Sequence, residues 1–422
     1  MDALGGISPQ GSNGIKKMLE VQVDARLKIE NLYKVFSQTP GKAMALLRKG
    51  ASKDQVFSET STVVGLNDVS LSVPSGAIYM IMGLSGSGKS TLARCINRLN
   101  EPTAGKIILD GQDIVPLKER ELREVRRTRI SMVFQHFALL PNKSIIENTE
   151  FGLKLRGMSS AQRRRRAEEI LSIVGLAKWA YHYPHELSGG MRQRVGLARA
   201  LATDADVLIM DEAFSALDPL IRSEMQDELL RLQRTLKKTI LFITHDFQEA
   251  LKMGTRIAIM RDGQVAREGT PQDIVMSPGS DYVSGFTREV DRSRLFDAGA
   301  IMLPTHVVHS YAGHKVLSSA ALSFGGGIVV DSGNKIIGSL NAGAISEVAA
   351  GRSPVEVMSN AYTVIPENSK LIDASRILGS AAHAAVVNPG GEIVGMLDAG
   401  SILNCIAAVA SPSARLEGEQ NA

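Results

Sequence analysis

Residues 83–91 have the types and spacing of a loop that binds phosphate groups. The segment Gly83-Leu-Ser-Gly-Ser-Gly-Lys-Ser-Thr91 fits the pattern G-x-x-x-x-G-K-[ST], and it lies between an apolar run and an amphipathic run. Glycines let the backbone turn sharply and direct N–H groups at an anion, and a following helix adds the positive end of its dipole. We therefore expect a strand, a loop and a helix that bind a nucleotide polyphosphate.

The polar side chains of this loop have separate expected tasks. Lys89 can reach the β- and γ-phosphates as a point charge, and the Ser90 hydroxyl can bind Mg²⁺. The nucleotide-binding residues predicted in the loop are Gly83, Ser85, Gly86, Ser87, Gly88, Lys89, Ser90 and Thr91.

Three other apolar runs that are typical of buried strands end in polar residues. One run ends in Gln135, a second in Asp211 and Glu212, and a third is followed by His245. Because α/β folds bind ligands at the carboxyl ends of parallel strands, we expect these side chains at the same edge of a sheet as the phosphate loop.

A second anion site is predicted at Leu187-Ser-Gly-Gly190. Ser188 is a natural helix N-cap, so the backbone amides of Gly189 and Gly190 would be donors at a helix N-terminus. Within a single chain, however, no bound phosphate group is expected next to this second anion site.

The elements that must position these residues follow in order along the chain. We expect a flexible arm over residues 1–25. The sequence predicts strands over Leu27–Phe36 and Val63–Val73, with one or two short helices between them. A helical segment is expected over about 136–200, and a closing hairpin over 257–269. Residues 284–304 lose this pattern and are interpreted as a connector, and residues 411–422 as a flexible tail.

Composition limits the classes of protein that this chain can be. Its 422 residues suffice for two or three domains, and a mean hydropathy of +0.01 is ordinary for a globular protein. The sequence has no apolar run of membrane-spanning length, no secretory leader pattern and only two cysteines, which favours a reducing cytosol. Residues 1–296 carry 42 Lys and Arg against 34 Asp and Glu, whereas residues 297–422 carry 6 against 10, and this contrast suggests a boundary near 297.

An internal repeat lies beyond the connector. Residues 329–345 match residues 386–402 at nine of seventeen positions, with an offset of 57. Each copy has the pattern of a strand, a turn, a second strand and the start of a helix. One copy alone would leave its apolar face uncovered, so we expect the two to pack against each other.

The ordered set of motifs resembles the nucleotide-binding subunit of ABC transporters over about residues 26–270. The motifs are Gly83–Thr91, Gln135, Leu187–Arg194, Val207–Glu212, Ser215–Asp218 and His245. The resemblance implies an α/β P-loop ATPase domain with a mixed sheet and a helical subdomain, over residues 26–283. The long insert between Phe36 and Gly65 and the duplicated tail look like the ATPase of glycine betaine/proline-type importers, in which residues 305–410 would be a tandem cystathionine-β-synthase (CBS) domain.

The resemblance also implies roles for the polar residues. Ser90, Asp211 and Gln135 would hold Mg²⁺, and Gln135 would complete the shell of metal and water. Glu212 would polarise the attacking water, and His245 would contact the γ-phosphate of ATP and keep the water aligned.

In the family, two copies bind head to tail. Ser188, Gly189 and Gly190 would cap ATP bound to the opposite copy, and Asp218 would contact the partner. Phe36 is expected to stack on adenine, with Tyr33 as the alternative.

The repeats depart from the nucleotide-binding CBS pattern Gly-x-x-Thr-x-x-Asp. The corresponding residues are Gly338, Asn341 and Ala344 in the first copy, and Gly395, Asp398 and Ser401 in the second. The aspartate that grips ribose is missing from both copies. A regulatory role, such as sensing ionic strength, and a purely structural role in dimerisation both remain open.

The function implied is ATP hydrolysis coupled to import of an osmoprotectant: glycine betaine, proline betaine, proline, carnitine or choline. The expected partners are a second copy of the chain, transmembrane permease subunits and, indirectly, a substrate-binding protein, with no nucleic acid. The expected location is the cytoplasmic face of the plasma membrane. The alternative is a soluble ABC ATPase outside transport, regulated by its C-terminal domain.

Overall fold

The computed structural model describes residues 25–134, 138–215, 217–311, 313–322 and 325–407. The chain divides into two compact units, and the division falls between Pro271 and Gln272. Residues 272–283, which the sequence analysis assigned to the ATPase domain, therefore belong to the second unit. The predicted arm, apart from Ala25, and the predicted tail lie outside the described residues.

The first unit contains ten strands and nine α-helices among its described residues. The strands are β1 Ala25–Phe36, β2 Val63–Pro74, β3 Ile78–Met82, β4 Ala104–Leu109, β5 Gln112–Asp113, β6 Ile130–Val133, β7 Val207–Asp211, β8 Thr239–Ile243, β9 Arg256–Arg261 and β10 Gln264–Gly269. The helices are α1 Gly41–Arg48, α2 Lys53–Thr60, α3 Lys89–Ile96, α4 Glu119–Thr128, α5 Ile145–Leu155, α6 Ser160–Ile173, α7 Gly189–Ala202, α8 Pro219–Leu236 and α9 Phe247–Met253.

Two sheets form the framework of this unit. The larger has the strand order β10-β9-β3-β8-β7-β6, in which only β10 runs antiparallel to its neighbour. The smaller is antiparallel, with the order β2-β1-β4-β5. Every residue of β3, β7 and β8 is buried, as expected for parallel strands covered on both faces. The mixed sheet and the hairpin β9–β10 agree with the sequence prediction.

The register of the parallel strands determines where the polar residues lie. Ile243 of β8 pairs with Ile81 of β3 on one side and with Asp211 of β7 on the other. The three strands therefore end at nearly the same level, and the residues that follow each of them meet at one edge of the sheet.

Helices α1 and α2 form the insert between the first two strands. Ala43, Met44 and Leu47 of α1 pack with Val56 of α2 against the end of the β1–β2 pair. The two short helices agree with the sequence prediction. Elsewhere in the unit, α5 packs against both α6 and α7.

The second unit contains two small sheets and several short helices. The strands are β11 His306–Tyr311, β12 His314–Ser318, β13 Gly327–Val330, β14 Ile336–Leu340, β15 Val364–Pro366, β16 His383–Val387 and β17 Ile393–Asp398. The helices are α10 Pro271–Met276, which begins at the division, α11 Asp281–Thr287, α12 Arg292–Leu295, α13 Ala298–Ile301, α14 Ala342–Ala349, α15 Pro354–Val357, α16 Leu371–Leu378 and α17 Ala399–Ala407.

The repeat has the predicted structure, whereas the connector has more structure than expected. The units β13-β14-α14 and β16-β17-α17 follow the same order, and Ile328 and Val330 of the first copy pack with Ala385 and Met396 of the second. The predicted connector contains most of α11 and all of α12 and α13. Helices as short as the four residues of α12 and of α13 span about one turn, too few for an apolar period to show in the sequence.

Candidate functional site

A cavity of about 440 Å³ lies beside the end of β1, the start of β2 and the loops that follow β3, β7 and β8. We term it the phosphate-loop cleft. It brings together many of the predicted site residues: Phe36, Ser85, Gly86, Gly88, Lys89, Ser90, Thr91, Glu212 and His245. Its remaining lining residues, which the sequence analysis missed, are Val63, Val64 and Gly65.

Gly83 and Gly88 adopt backbone conformations that favour glycine, with φ of 148° and 106°. A Cβ on Gly83 would lie 2.2 Å from the backbone oxygen of Met260, and a Cβ on Gly88 would lie 2.7 Å from that of Gly65. Backbone atoms cannot easily give way, so both positions need glycine. Gly88 precedes α3 and makes no side-chain cap, so the first N–H groups of that helix remain donors for an anion.

Lys89 is held close to the loop that it follows. Its side chain is buried, and the Nζ atom donates hydrogen bonds to the carbonyl oxygens of Gly83, at 2.8 Å, and Leu84, at 3.0 Å. Burial lowers the pKa of Lys89, while the carboxylates of Glu212 and Asp211 act in the opposite direction. A buried cation with these neighbours favours an anionic ligand, which would complete its pairing.

Ser87 contributes a buried polar atom that has no hydrogen-bond partner among the described residues. Its Oγ atom is buried, the residue is 5% exposed, and Ser87 is not among the residues that line the cleft. Buried hydroxyls are normally hydrogen-bonded, so an unpaired one within a glycine cradle fits a phosphate ligand.

Ser90 and Asp211 form a pair of oxygen donors beside the cleft. The Ser90 hydroxyl donates to Asp211 Oδ1 at 3.0 Å. Burial raises the pKa of Asp211, and the hydrogen bond from Ser90 opposes that shift. A hydroxyl and a carboxylate next to a polyphosphate cradle are the hard oxygen ligands that Mg²⁺ prefers, so the residues present fit this ion.

Glu212 and His245 face each other at the edge of the sheet. His245 Nδ1 lies 3.8 Å from Glu212 Oε2, and both side chains line the cleft. The Glu212 backbone N–H donates to the carbonyl oxygen of Ile243, so the carboxylate is tied to the strand that carries His245. A carboxylate and an imidazole at this separation can together orient and deprotonate a water molecule.

One wall of the cleft is apolar. Phe36 pairs with Val63 across the β1–β2 ladder, and the Phe36 ring is 46% exposed. A Cβ on Gly65 would lie 2.8 Å from the Phe36 ring, so the wall is closely packed there. Tyr33, the alternative stacking residue, lines a different cavity, which favours Phe36 as the aromatic wall of the cleft.

Ser188, Gly189, Gly190 and Asp218 are absent from the lining of the cleft in the described part of the chain. Ser188 accepts a hydrogen bond from the Met191 N–H at 3.3 Å and so caps α7, as predicted. Asp218 caps α8 in the same way. A Cβ on Gly190 would lie 2.5 Å from Ile221 Cγ2, so the two capped helix starts lie next to each other. Gln135 lies outside the described residues.

Comparison with known proteins gives one matching family model, and two relatives that each match most of this chain. Residues 66–215 match the family model described as ABC transporter. The chain is 44% identical to the glycine betaine transport ATP-binding protein OpuAA of Bacillus subtilis (strain 168), covering 90% of this chain and 92% of that protein. It is 43% identical to the glycine betaine/proline betaine transport system ATP-binding protein ProV of Escherichia coli (strain K12), covering 90% and 97%.

A solved structure is similar to the first unit. It is a dimeric ATP-binding cassette in a post-hydrolysis state, bound to ADP and phosphate, with 33% sequence identity and a TM-score of 0.50. The match covers 58% of this chain and 98% of that one.

The cleft and the mixed sheet define a P-loop ATPase of the ATP-binding cassette type. With these relatives matched over nearly their whole length, the chain belongs to the ATP-binding proteins of the ABC transporter family. Across the part of the chain that the structure describes, none of the helices combines the length and the apolar character needed to cross a membrane.

Proposed function

We propose that this chain hydrolyses ATP to energise the import of an osmoprotectant: glycine betaine, proline betaine, proline, carnitine or choline. The observation that carries the proposal is the identity of 43–44% over 90% of the chain to ATP-binding proteins named for glycine betaine transport. Because the match includes the second unit as well as the ATPase unit, it favours a transport subunit over a soluble ATPase outside transport.

The proposed binding of ATP uses the two sides of the phosphate-loop cleft. Lys89 and the loop amides bind the phosphates, while Phe36 and Val63 form the apolar wall against which adenine packs. The remaining loop residues, Ser85, Gly86, Gly88 and Thr91, contribute by their backbone and their shape.

Ser90 and Asp211 are the proposed ligands of Mg²⁺, together with Gln135. When bound there, the ion would offset the charge of the phosphates and polarise them.

Glu212 is the proposed general base for the attacking water. Its carboxylate lies next in sequence to Asp211, so it can accept a proton while Asp211 serves the metal. His245, 3.8 Å from Glu212, is proposed to hold the water and the γ-phosphate in line.

A second copy of the chain is proposed to complete the site. Ser188, Gly189 and Gly190 begin a helix whose N-terminus can receive a phosphate from another copy. Asp218 lies at the adjacent helix start, and it would make the neighbouring contact with that copy. The dimeric state of the similar cassette with ADP and phosphate supports this arrangement.

Permease subunits and, indirectly, a substrate-binding protein are the proposed further partners, at the cytoplasmic face of the plasma membrane. The relatives' names as transport proteins support this assignment. The solute would be bound by those partners, so this chain supplies the energy and not the selectivity.

Residues 305–410, which lie within the second unit, are proposed to form a tandem CBS domain, as their repeat suggests. At the positions of the nucleotide-binding pattern, Asn341 accepts from the Ala344 N–H at 2.9 Å, and Asp398 accepts from the N–H and hydroxyl of Ser401. Both side chains are used as helix caps, which supports a regulatory or structural role without a bound adenosine ligand.

Uptake measurements test the proposed function. Cells that express the chain with its permease should accumulate labelled glycine betaine or another of the five solutes, and Glu212→Gln should abolish the accumulation. Uptake that is unchanged by Glu212→Gln, or an absence of permease in material purified with the chain from membranes, would reject it.

A further inference from the structure

A buried carboxylate, that of Glu249, lies four residues after His245 in the sequence and is not among the residues that line the phosphate-loop cleft. Glu249, on α9, is 5% exposed. Its Oε2 accepts a hydrogen bond of 2.6 Å from the Thr244 hydroxyl, and its Oε1 accepts one of 3.0 Å from the side-chain amide of Gln226 on α8. Each carboxylate oxygen therefore has a partner on a different element.

These bonds restrain the backbone on both sides of His245. The Thr244 N–H donates to the Ile81 carbonyl oxygen at 3.0 Å, and the Asp246 N–H donates to the Thr244 hydroxyl oxygen at 2.9 Å. Thr244 is thus bound through its backbone to β3 and through its side chain to Glu249 and Asp246. These contacts hold the backbone segment from which the His245 side chain extends toward Glu212.

Arg222 connects the same region to the loop that follows Glu212. One guanidinium nitrogen lies 3.4 Å from Asp246 Oδ2, and another donates to the Leu217 carbonyl oxygen at 3.1 Å. Leu217 precedes Asp218, the cap of α8. A displacement of that loop would therefore be transmitted to the residue after His245.

We propose that Glu249 and Arg222 are positioning residues for ATP hydrolysis. Glu249 sets the backbone of His245 so that the imidazole lies over Glu212, and Arg222 couples this geometry to the loop proposed to face the second copy. The inference rests on the proposed function, since it assigns these residues to the same hydrolytic site. Neither residue touches the substrate.

The hydrogen-bond pattern predicts which substitution Glu249 tolerates. Burial raises the pKa of Glu249, so a neutral side chain suits the site. In Glu249→Gln the new amide oxygen can accept from Thr244, and the new NH₂ group can donate to a reversed Gln226 amide. In Glu249→Ala both donors lose their acceptor.

Steady-state ATP hydrolysis by the full-length chain tests the proposal, with ATP affinity measured separately by binding of a fluorescent ATP analogue. We expect Glu249→Ala to lower kcat at least about tenfold and to change ATP affinity less than about twofold, because misplacement of a catalytic group affects the reaction step. Glu249→Gln should keep at least about half of the wild-type kcat. Equal kcat values for Glu249→Ala and the wild type would overturn the proposal.

A double-substitution cycle shows whether Glu249 acts through His245. If it does, Glu249→Ala should cause no further loss of kcat in a His245→Ala background. A loss as large as in the wild-type background would overturn the proposal, because Glu249 would then act by another route. Arg222→Lys should also lower kcat, since one ammonium cannot reach both Asp246 and Leu217 in the same fork geometry.

Two controls separate positioning from loss of folding. Glu150 is equally buried, at 6% exposed, and pairs at 3.5 Å with Arg163 and Arg164, so Glu150→Ala should lower stability without lowering kcat. If Glu249→Ala fails to fold, Thr244→Val and Thr244→Ser replace it. Loss of kcat in the valine variant and its recovery in the serine variant are expected, and equal kcat in both would overturn the proposal.

Different kinetic results would reject the proposed function itself. A wild-type chain without ATP hydrolysis, or a His245→Ala variant as active as the wild type, would overturn the proposed function and this inference with it. An impaired His245→Ala variant beside a fully active Glu249→Ala variant would overturn the inference alone.

Discussion

Glu212 is held in a left-handed backbone conformation, with φ of 47°, at the end of a buried strand. Its N–H is bonded to the Ile243 carbonyl oxygen, and its own carbonyl oxygen accepts from the N–H and hydroxyl of Ser215. Such a conformation costs free energy and persists where surrounding contacts hold it. These bonds involve the backbone, so they survive a change of the side chain.

Glu212→Gln should therefore separate binding from hydrolysis. The amide keeps the size of the side chain but cannot accept a proton from water, so we expect kcat for ATP hydrolysis to fall roughly 100-fold or more. ATP affinity should remain within about threefold, because the phosphates are bound by the loop and Lys89. Rapid hydrolysis by the variant would show that another group is the base.

The raised pKa of Glu249 predicts a pH dependence of stability. A carboxyl group whose pKa is higher in the folded than in the unfolded chain binds more protons when folded, so its contribution to stability falls as pH rises above its ordinary range. The free energy of unfolding of the wild type, relative to Glu249→Gln, should decrease as the pH rises above about 4.5, the ordinary pKa of a glutamate side chain. Urea titrations of both proteins over that range would reveal it, and a constant difference would contradict the assigned burial effect.

At the scale of elements, the conformation of the phosphate loop depends on the turn between β9 and β10. Gly263 in the β9–β10 turn donates its N–H to the Ser87 carbonyl oxygen at 2.9 Å, and its own carbonyl oxygen accepts from Asn67 at 2.8 Å. The Gly83 backbone also packs closely against the backbone oxygen of Met260, which is in β9. The loop geometry thus depends on β9 and β10 as well as on the loop's own sequence.

Gly83→Ala should disrupt this packing. The added Cβ would overlap a backbone oxygen and strain a positive φ, so we expect a loss of stability of about 1–3 kcal/mol and weaker ATP binding. Gly41→Ala is the matched control, because a Cβ there would have no neighbour within 4 Å among the described residues, and α1 should tolerate alanine. Equal stability and ATP affinity for the two variants would contradict the role given to the close contact.

The elements differ in how far their sequence predicts them. The strand, loop and helix around Gly83–Thr91, the start of α7 capped by Ser188 and the repeat were predicted because each has a clear signal in the sequence. The apolar wall of Val63–Gly65 was missed because it depends on the register of β1 against β2. The contacts of Glu249 with Thr244 and Gln226 depend on side chains that only the fold brings together.

At the scale of the whole molecule, the two units differ in charge. Residues 272–422 carry 9 Lys and Arg against 14 Asp and Glu and are net acidic, while residues 1–271 carry 39 against 30 and are net basic. Ionic strength in the cell screens such charges over about 8–10 Å. Screening of the acidic surface of the second unit would make its contacts sensitive to ionic strength, whereas a purely structural role in dimerisation would not require such a response.

Removal of the second unit, residues 272–422, tests the salt response. We expect solute uptake by the truncated protein to lose its dependence on ionic strength while ATP hydrolysis persists, because the acidic surface would be gone. Uptake at graded internal salt concentrations, with the full-length chain as the reference, measures this dependence. The same dependence in both proteins would remove the hypothesis.

ATP-dependent cross-linking between two copies tests the central claim most directly. Ser85 and Ser188 are exposed, and Cys405→Ser removes the less buried of the two native thiols. Differently tagged Ser85→Cys and Ser188→Cys proteins, both carrying Glu212→Gln, would be mixed with a short thiol cross-linker. The account predicts a mixed dimer with ATP and little or none with ADP; an equal yield with both nucleotides, or no mixed dimer while ATP is bound, would contradict it.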